Sequence, residues 1–581
     1  MSEDPILDKA NQWLSGPIDQ ESKHEILELM KSPDELRDAF YKNLSFGTGG
    51  MRGIMGAGTN RINRYTIQMA TQGLANYLLK HPPLRERHAV FIGYDSRHNS
   101  KEYAWEAARV LAGNGITAYL TCELRPSPFI SFGVRNKKCS AGIMITASHN
   151  PKEYNGYKVY WSDGAQVVPP HDNGIVKEVE KIESLNDVRL SLENSPLIEI
   201  IDPELDFEYL DAIHKLQFDP KEDEQVGDQL KITYSSLHGT GIKLLPRALK
   251  SWGFSNINLV DHQSVPDGSF PTIKTPNPEN PEALAMGIQQ MVDTQSDLFI
   301  ATDPDADRMG VVVLHKEKPF ILTGNQIAAV CLEYICQILT QQERLPEKGA
   351  VISTIVSTDL LEVICKHYNL AYFDVLTGFK YIGELIHKWE TEQSPYTFLF
   401  GAEESYGYLI GTHCRDKDAT VISCLIAEAA LLMNVEGRTL VDFLVEIYKK
   451  YGLFFEAQKT LDFPPGKKGM DQMNAMMDKL RKNSPQKIAG VPVEVFEDYQ
   501  TSQRVNLLSK AVEPISLPSS NVLLFRLKDQ SKIVVRPSGT EPKLKIYIGV
   551  YEPTFSELDS GLKTCQDKID TLLHATESLL H

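Results

Sequence analysis

At 581 residues the chain is long enough for about four domains of roughly 150 residues, each able to bury its own core. Apolar residues make up 42% and charged residues 24%, proportions of a globular chain that exclude a disordered or low-complexity one. The formal charge of −17, with no dense Lys/Arg run, disfavours nucleic acid and anionic membrane as partners, so an anionic ligand must be held by local cations against the overall field.

The amino terminus, MSEDPILDKA, has no apolar core segment, so no secretory signal is expected and the location implied is cytoplasmic. The first 45 residues read as helical, with Leu36, Ala39, Phe40 and Leu44 at helical spacing, until SFGTGGMRG (45–53) breaks the pattern with four glycines and exposes Arg52. Such a loop brings backbone N–H groups to an anion. A second amphipathic helix follows, with Ile67, Ala70, Leu74 and Leu78 on one face.

From residue 89 a plan of strands and helices ending in a polar loop occurs three times. It runs AVFIGYD, a helix capped by Ser100, ITAYLT and AGIMITASHN; then KITYSSLHG, INLVDH and DLFIATDPDADR; then AVISTIVST, AYFDVL and YTFLFGAEES. Three related α/β domains are predicted, with parallel pairing favoured by the crossover helices. The nearly uncharged stretch Ala419 to Val435, interrupted by Glu428, reads as a buried helix and not a membrane span. Beyond about residue 450 a Met-rich charged helix, the strands NVLLFRL and KIVV, the loop RPSGTEP and the strand KLKIYIGVY predict a separate α+β domain with an antiparallel sheet. The eight cysteines form no CxxC pair and read as reduced core residues.

The loops at the strand ends carry the chemistry. Ser148, in TASHNP after the buried run AGIMI, falls where open α/β sheets present ligands; His149, Lys152 and Lys158 lie close by, and Pro151 and Gly156 are expected to fix an irregular loop that aims the hydroxyl outward. Asp303, Asp305 and Asp307 alternate in DPDADR, which directs three carboxylates to one side of an extended loop and calls for a hard cation such as Mg²⁺. It is not an EF-hand, since Arg308 stands where that loop needs Gly and Leu314 where it needs Glu; Asp307 also stands where haloacid-dehalogenase-type phosphatases have Thr or Val. GAEESYGY puts Glu403 and Ser405 on a third strand-end loop, suited to sugar hydroxyls, with Thr377 and Lys380 in TGFK and Arg415 and Lys417 in RDKD nearby in sequence. RPSGTEPK (536–543) offers a guanidinium, two hydroxyls and a bare backbone N–H to a phosphate.

TASHNP, DPDADR, EESYG and RPSGTEPK, in this order and at these separations, resemble the α-D-phosphohexomutase superfamily over nearly the whole chain from GTGGMRG onward. The resemblance implies a heart-shaped α/β enzyme of four domains: 1–206 with the phosphoserine loop, 207–325 with the metal loop, 326–450 with the sugar loop, and an α+β domain at 451–581 with the phosphate loop. It implies that phosphorylated Ser148 exchanges its phosphoryl group with a hexose monophosphate through a glucose 1,6-bisphosphate intermediate, interconverting glucose 1-phosphate and glucose 6-phosphate; pentose and mannose phosphates are the alternative substrates.

By matching motif positions, the resemblance implies that Ser148, Asp303, Asp305 and Asp307 hold Mg²⁺, while Lys158 and Arg308 supply positive potential and Arg52 meets the phosphoserine side. Glu403, Ser405, Thr377, Lys380 and Lys417 belong to the sugar side, and Arg536, Ser538, Gly539 and Thr540 hold the non-reacting phosphate. The proton-handling group stays open among Lys158, Lys417 and His149. Ala402 departs from the Gly that precedes the Glu pair in many glucose enzymes, which weighs slightly against glucose. A small phosphosugar is the only partner implied beyond a monomeric or homodimeric state. A metal-dependent phosphatase or a non-catalytic sugar-phosphate sensor is a competing class, and the intact motif set argues against the sensor.

Overall fold

In a computed structural model, which describes residues 4–44, 50–464, 467–538 and 542–580, the apolar runs of each repeat are strands and the amphipathic stretches between them helices. Contacts divide the chain into two units, Met1–Gly324 with Gly378–Thr439, and Asn325–Thr377 with Leu440–His581. Strands are numbered β1 to β23 along the chain.

The first unit holds a six-stranded sheet of β1 (Met51–Ile54), β2 (Ala89–Tyr94), β3 (Thr117–Thr121), β4 (Ala141–Ile145), β5 (Tyr154–Trp161) and β6 (Ile198–Ile201), in the order β1-β5-β4-β2-β3-β6. The strands β4, β2, β3 and β6 are parallel, as the helical crossovers require, and every residue of β2 and β4 is buried. Helices Arg64–Leu78 and Ser100–Gly113 contribute Ile67, Leu74, Ala104 and Leu111 to the core beneath the sheet. A second sheet, in the order β11-β10-β9-β7-β8, comprises β7 (Ile232–Ser235), β8 (Ile257–Leu259), β9 (Leu298–Thr302), β10 (Met309–His315) and β11 (Lys318–Leu322). From the third repeat, β14 (Thr397–Glu403) and β15 (Gly407–Leu409) form an antiparallel hairpin in this unit. The helix Ala419–Val435 is buried from Ala419 through Leu431. Among the described residues no single helix is long and apolar enough to cross a membrane.

The second unit contains β12 (Gly349–Thr354) parallel to β13 (Ala371–Val375), and an antiparallel sheet built from the carboxy-terminal segment. In that sheet β16 (Leu453–Asp462), β23 (Lys543–Glu552), β22 (Lys532–Pro537), β21 (Leu523–Leu527), β18 (Val491–Asp498), β19 (Gln503–Asn506) and β20 (Val512–Pro514) lie in this order, with β17 (Lys487–Ile488) on β18. The expected α+β character of this segment is thus observed.

Four local expectations are corrected. The amino-terminal helical region is three short helices, Pro5–Ser15, Gln20–Leu29 and Pro33–Phe40, each begun by an Asp or Ser cap with Pro or acidic residues in its first turn, and Leu44 lies beyond the last. Asn99, in the left-handed region at φ 62°, precedes the helix at 100–113; Ser100 is its first residue, and its hydroxyl donates to Asp95. Parallel pairing stops at the chemically important strands: β4, β9 and β14 are each followed, after their loop, by an antiparallel partner, β5, β10 and β15. The three loops are therefore turns between antiparallel strands and not strand-to-helix crossovers. Finally, Gly156 and Lys158 belong to β5 and not to an irregular loop. A Cβ at Gly156 would lie 2.6 Å from the carbonyl oxygens of both Met51 and Thr146, so glycine is what lets β1 and the Ser148 turn approach β5.

Candidate active site

Buried β4 delivers Thr146, whose Oγ1 accepts the Ser148 amide at 2.8 Å and turns the chain sharply. Ser148 takes φ 51°, the left-handed region that costs an L-residue roughly 1–2 kcal/mol and needs support from its surroundings. It is 1% exposed: the hydroxyl does not point outward to solvent, as the sequence suggested, but donates to Asp303 Oδ2 at 2.7 Å. His149 Nδ1 stands 3.2 Å from the same oxygen.

The aspartate turn between β9 and β10 supplies the facing wall. Asp303 Oδ1 accepts the backbone amides of Asp307 and Arg308, both at 3.1 Å, which ties the turn around one carboxylate. Asp305 Oδ2 accepts Lys158 Nζ and Ser127 Oγ, both at 2.6 Å; Asp307 Oδ2 accepts Lys158 at 2.9 Å and lies 3.3 Å from Lys417 Nζ. The remaining oxygens, Asp305 Oδ1 and Asp307 Oδ1, are buried and have no hydrogen-bond partner among the described residues. A buried carboxylate oxygen without a donor is costly, and one ligand atom from each of the three aspartates lies within 4.8 Å of the others. Two orphaned oxygens beside Asp303 and the Ser148 hydroxyl form an all-oxygen set, the donor type that suits a hard divalent cation.

Charge is arranged accordingly. Burial raises Asp303 well above the usual carboxylate range, reinforced by Asp305 and Asp307. Burial also acts on Asp307, but Lys158, Lys417 and Arg308 outweigh it and hold that group far below the range. Asp305 is likewise held down by Lys158, against burial and the repulsion of Asp307. Lys158 and Lys417 would lose their protons more readily for being buried, yet their carboxylate partners keep both firmly cationic. Burial, then Arg308 and Arg52, push the His149 imidazole well below its ordinary value, leaving it neutral.

Of the residues singled out from sequence, Ser148, His149, Lys158, Asp303, Asp305, Asp307 and Lys417 meet here through direct contacts. Arg52, on β1, donates to the Asn150 side chain at 3.3 Å, and Arg308 pairs with Glu279 and sits 4.0 Å from Asp307 Oδ1. Glu403 ends β14, accepts the Gly378 amide at 3.1 Å and is pushed up to about 7 by burial, opposed by Lys417. Ser405 lies in the turn from β14 to β15. Lys380 points elsewhere in this unit, 3.8 Å from Asp172. Thr377, Arg536 and Ser538 belong to the second unit; Ser538 donates its amide to the Lys543 carbonyl at 2.7 Å, and Gly539 and Thr540 lie outside the described residues, as does 45–49 of the glycine-rich loop.

Ser127 and Asp416 escaped the sequence reading. Ser127, which orients Asp305, follows Pro126 at the start of a helix and carries no motif of its own. Asp416 stands between the two cations of RDKD: its Oδ1 accepts Lys417 Nζ at 3.1 Å while Oδ2 accepts Tyr160 Oη at 2.9 Å and Gln166 Nε2 at 2.8 Å. A Cβ on Gly407 would fall 2.0 Å from Lys417 Cδ, so this glycine gives the lysine its path across β15 to Asp307.

Models of the phosphoglucomutase/phosphomannomutase family match in series: alpha/beta/alpha domain I at residues 43–186, domain II at 207–316 and domain III at 323–451. A phosphoglucomutase of Staphylococcus haemolyticus (strain JCSC1435) is 38% identical over 528 residues, 90% of this chain and 93% of its own. One of Staphylococcus aureus (strain USA300) is 38% identical over 554 residues, 94% and 96% of the respective chains. Two solved structures share the fold, each with a TM-score of 0.68: a putative phosphomannomutase from Thermus thermophilus (21% identity, 93% of this chain and 99% of its own) and the open form of parafusin, a phosphoglucomutase from Paramecium (19%, 92% and 96%).

Proposed function

The chain belongs to the phosphoglucomutase/phosphomannomutase family and is an enzyme of intramolecular phosphoryl transfer, and from that premise we propose that it interconverts glucose 1-phosphate and glucose 6-phosphate through phosphorylated Ser148. In the forward direction the bond from Ser148 Oγ to phosphorus breaks as the O6 hydroxyl of glucose 1-phosphate forms its own bond to phosphorus. The proton leaving O6 is balanced by one taken up at Ser148 Oγ, and glucose 1,6-bisphosphate results. After the sugar turns over, the bond from O1 to phosphorus breaks as Ser148 Oγ bonds to phosphorus, the proton that Ser148 gives up balances the one O1 takes, and glucose 6-phosphate leaves.

The observation that carries this reading is the Ser148 hydroxyl on Asp303, beside two buried carboxylate oxygens that lack a donor among the described residues. Asp303, Asp305 and Asp307 would hold a divalent cation, for which we propose Mg²⁺; when bound it neutralises charge on the transferring phosphoryl group. Lys158 and Lys417 keep the carboxylates oriented and add positive potential without reorganising during transfer. When Ser148 is unphosphorylated its hydroxyl proton lies on the bond to Asp303 Oδ2, and His149 Nδ1, 3.2 Å from the same oxygen, is proposed to orient it. Arg52 and Arg308 are proposed on the phosphoserine side, Glu403, Ser405, Thr377 and Lys380 on the sugar side, and Arg536, Ser538, Gly539 and Thr540 as ligands of the non-reacting phosphate. Domain limits near 206, 325 and 450 belong to the same proposal, supported by family matches that end at 186, 316 and 451.

Ala402 bears little on the choice of sugar. It is 1% exposed within β14, and strand alternation turns its methyl to the opposite face from Glu403. The deciding experiment measures kcat/KM with glucose 1-phosphate, mannose 1-phosphate and ribose 1-phosphate, each primed with its bisphosphate. Glucose 1-phosphate is expected to give the highest value; a higher value for ribose 1-phosphate replaces the sugar and leaves the phosphoserine chemistry in place.

A further inference from the structure

We propose that Arg97 is a positioning residue for phosphoryl transfer: with Asp95 beneath it and Phe270 over its face, it fixes the backbone of Ser148 so that the hydroxyl meets the metal-binding aspartates. The proposal rests on the phosphoserine reading above. Arg97 and Asp95, whose contacts carry it, lie in none of the four sequence motifs. One guanidinium serves four backbone carbonyls of the Ser148 turn. Nη2 donates to the carbonyls of Ser148 and Asn150, and Nη1 to those of Pro151 at 2.8 Å and Tyr154 at 3.0 Å.

The other backbone group of Ser148 is held from the same source. Its amide donates to Thr146 Oγ1 at 2.8 Å, and that hydroxyl donates to Asp95 Oδ2 at 2.6 Å. Asp95 Oδ1 in turn accepts the Arg97 amide at 2.9 Å and Ser100 Oγ at 2.8 Å, while Oδ2 lies 3.3 Å from Arg97 Nε as an ion pair. Both ends of one residue in a disfavoured left-handed conformation are thus pinned by a single acid–base pair at the end of β2. The planar fork of arginine is suited to several carbonyls at once; a lysine ammonium, with one point of charge, is not.

The clamp is sealed by the second sheet's segment. Phe270, 1% exposed, places its ring centroid 5.0 Å from the Arg97 guanidinium carbon, a cation–π contact that covers the charge. The loop bearing it is pressed onto the clamp: a Cβ at Gly268 would lie 2.4 Å from the His98 amide, and Ser269 Oγ sits 2.9 Å from His98 Nε2. The side chains of Arg97 and Asp95 are fully buried, so water does not compete for the four carbonyls. With the carbonyls gathered on one side, Ser148 Oγ is left to face Asp303.

The test compares Arg97→Lys with wild type in the full-length enzyme. Misplacing a reacting group by about an ångström costs roughly 10²-fold, so kcat is expected to fall by about that factor while KM for glucose 1-phosphate stays within about threefold. Guanidinium chloride at millimolar concentration is expected to restore at least about tenfold of the kcat lost by Arg97→Ala, by reoccupying the vacated fork site. Hydrogen–deuterium exchange should rise across 146–154 in Arg97→Lys and stay unchanged across 303–309. A kcat within about threefold of wild type, or a loss confined to KM, overturns the proposal even if exchange rises, because the clamp would then be structural only. If Arg97→Lys does not fold, Phe270→Leu carries the test, with a kcat loss of about tenfold at unchanged KM expected and wild-type kcat overturning the idea. Should the wild type fail to act on any sugar phosphate, the exchange result still decides whether Arg97 sets the turn, so the failure of the activity and the failure of the clamp remain distinct.

Discussion

Among the described residues, two side-chain clusters in the first unit hold their ligand atoms close enough for a metal ion, and they differ in how far their carboxylates are satisfied. Around Asp303, Asp305 and Asp307 two buried carboxylate oxygens have no donor. In the cluster of His413, Cys414 and Asp418 the carboxylate is fully engaged. Asp418 Oδ1 accepts the amides of Thr420 at 2.9 Å and Val421 at 3.3 Å, Oδ2 accepts His413 Nε2 at 2.7 Å, and Tyr209 Oη reaches both oxygens. Cys414 donates to the Asp416 carbonyl at 3.3 Å, and the other ring nitrogen of His413 has no partner among the described residues. Asp418 is an N-cap that starts the buried helix 419–435, with His413 and Tyr209 completing it. Proximity of ligand types is common to both clusters; unmet demand for positive charge belongs to the aspartates alone.

Ser148→Ala tests the open cluster most severely. Removing the proposed phosphoryl carrier should lower mutase turnover more than the ~10²–10³-fold typical of losing one electrostatic donor, as read in a coupled assay on protein whose circular dichroism matches wild type. Next is Asp305→Asn. Its amide oxygen must stay with Lys158 and Ser127, which drives the NH₂ into the position of the orphaned Oδ1 and sets a donor against the cation. Titration of turnover is expected to require at least about tenfold more Mg²⁺. An unchanged requirement would remove the aspartates from the metal site and erase the contrast between the clusters.

In the closed cluster, Asp418→Ala should leave the Mg²⁺ requirement unaltered and cost about 0.5–2 kcal/mol of local stability, seen as faster amide exchange in the first turn of 419–435. Glu403 is an intermediate case: a buried carboxyl whose compensating cation, Lys417, is already committed to Asp307 and Asp416. Burial raises it from 4.5 to about 7, so the folded protein binds this proton more tightly than the unfolded chain. Its contribution is complete below pH 4.5 and is lost as pH rises through about 7. The melting temperature of wild type relative to Glu403→Gln should accordingly decline across that window and then level off. The smallest effect is expected of Cys414→Ser, with activity and Mg²⁺ dependence within about twofold of wild type, since its thiol acts as a weak donor to one carbonyl.

Much of the candidate site was legible because its chemistry is local in sequence. DPDADR carries three carboxylates in five residues, and TASHNP directly follows a wholly apolar strand, so residue type and strand end together pointed to the carboxylates and the serine that the structure brings into contact. The burial of Ser148 was not legible: a hydroxyl 155 residues from Asp303 reads as facing solvent until the second sheet's turn is laid against it. Ser127, Asp416 and Arg97 were invisible for a related reason. Each acts through a contact to a distant backbone or side chain, and a lone Ser, Asp or Arg at a loop is common enough to carry no signal.

The sequence by itself determined the periodicities, and with them the strands, the helices and their order, because alternation and helical spacing depend on neighbours within a few residues. It also determined which strand ends bear carboxylates, hydroxyls and cations. Only the tertiary structure decided that β5, β10 and β15 run back antiparallel beside β4, β9 and β14, that Lys158 and Lys417 converge on Asp307, and that two aspartate oxygens are left without donors. Those facts depend on which groups are excluded from water together. Burial and pairing in a low-dielectric interior are properties of the assembled sheets and not of any stretch of chain.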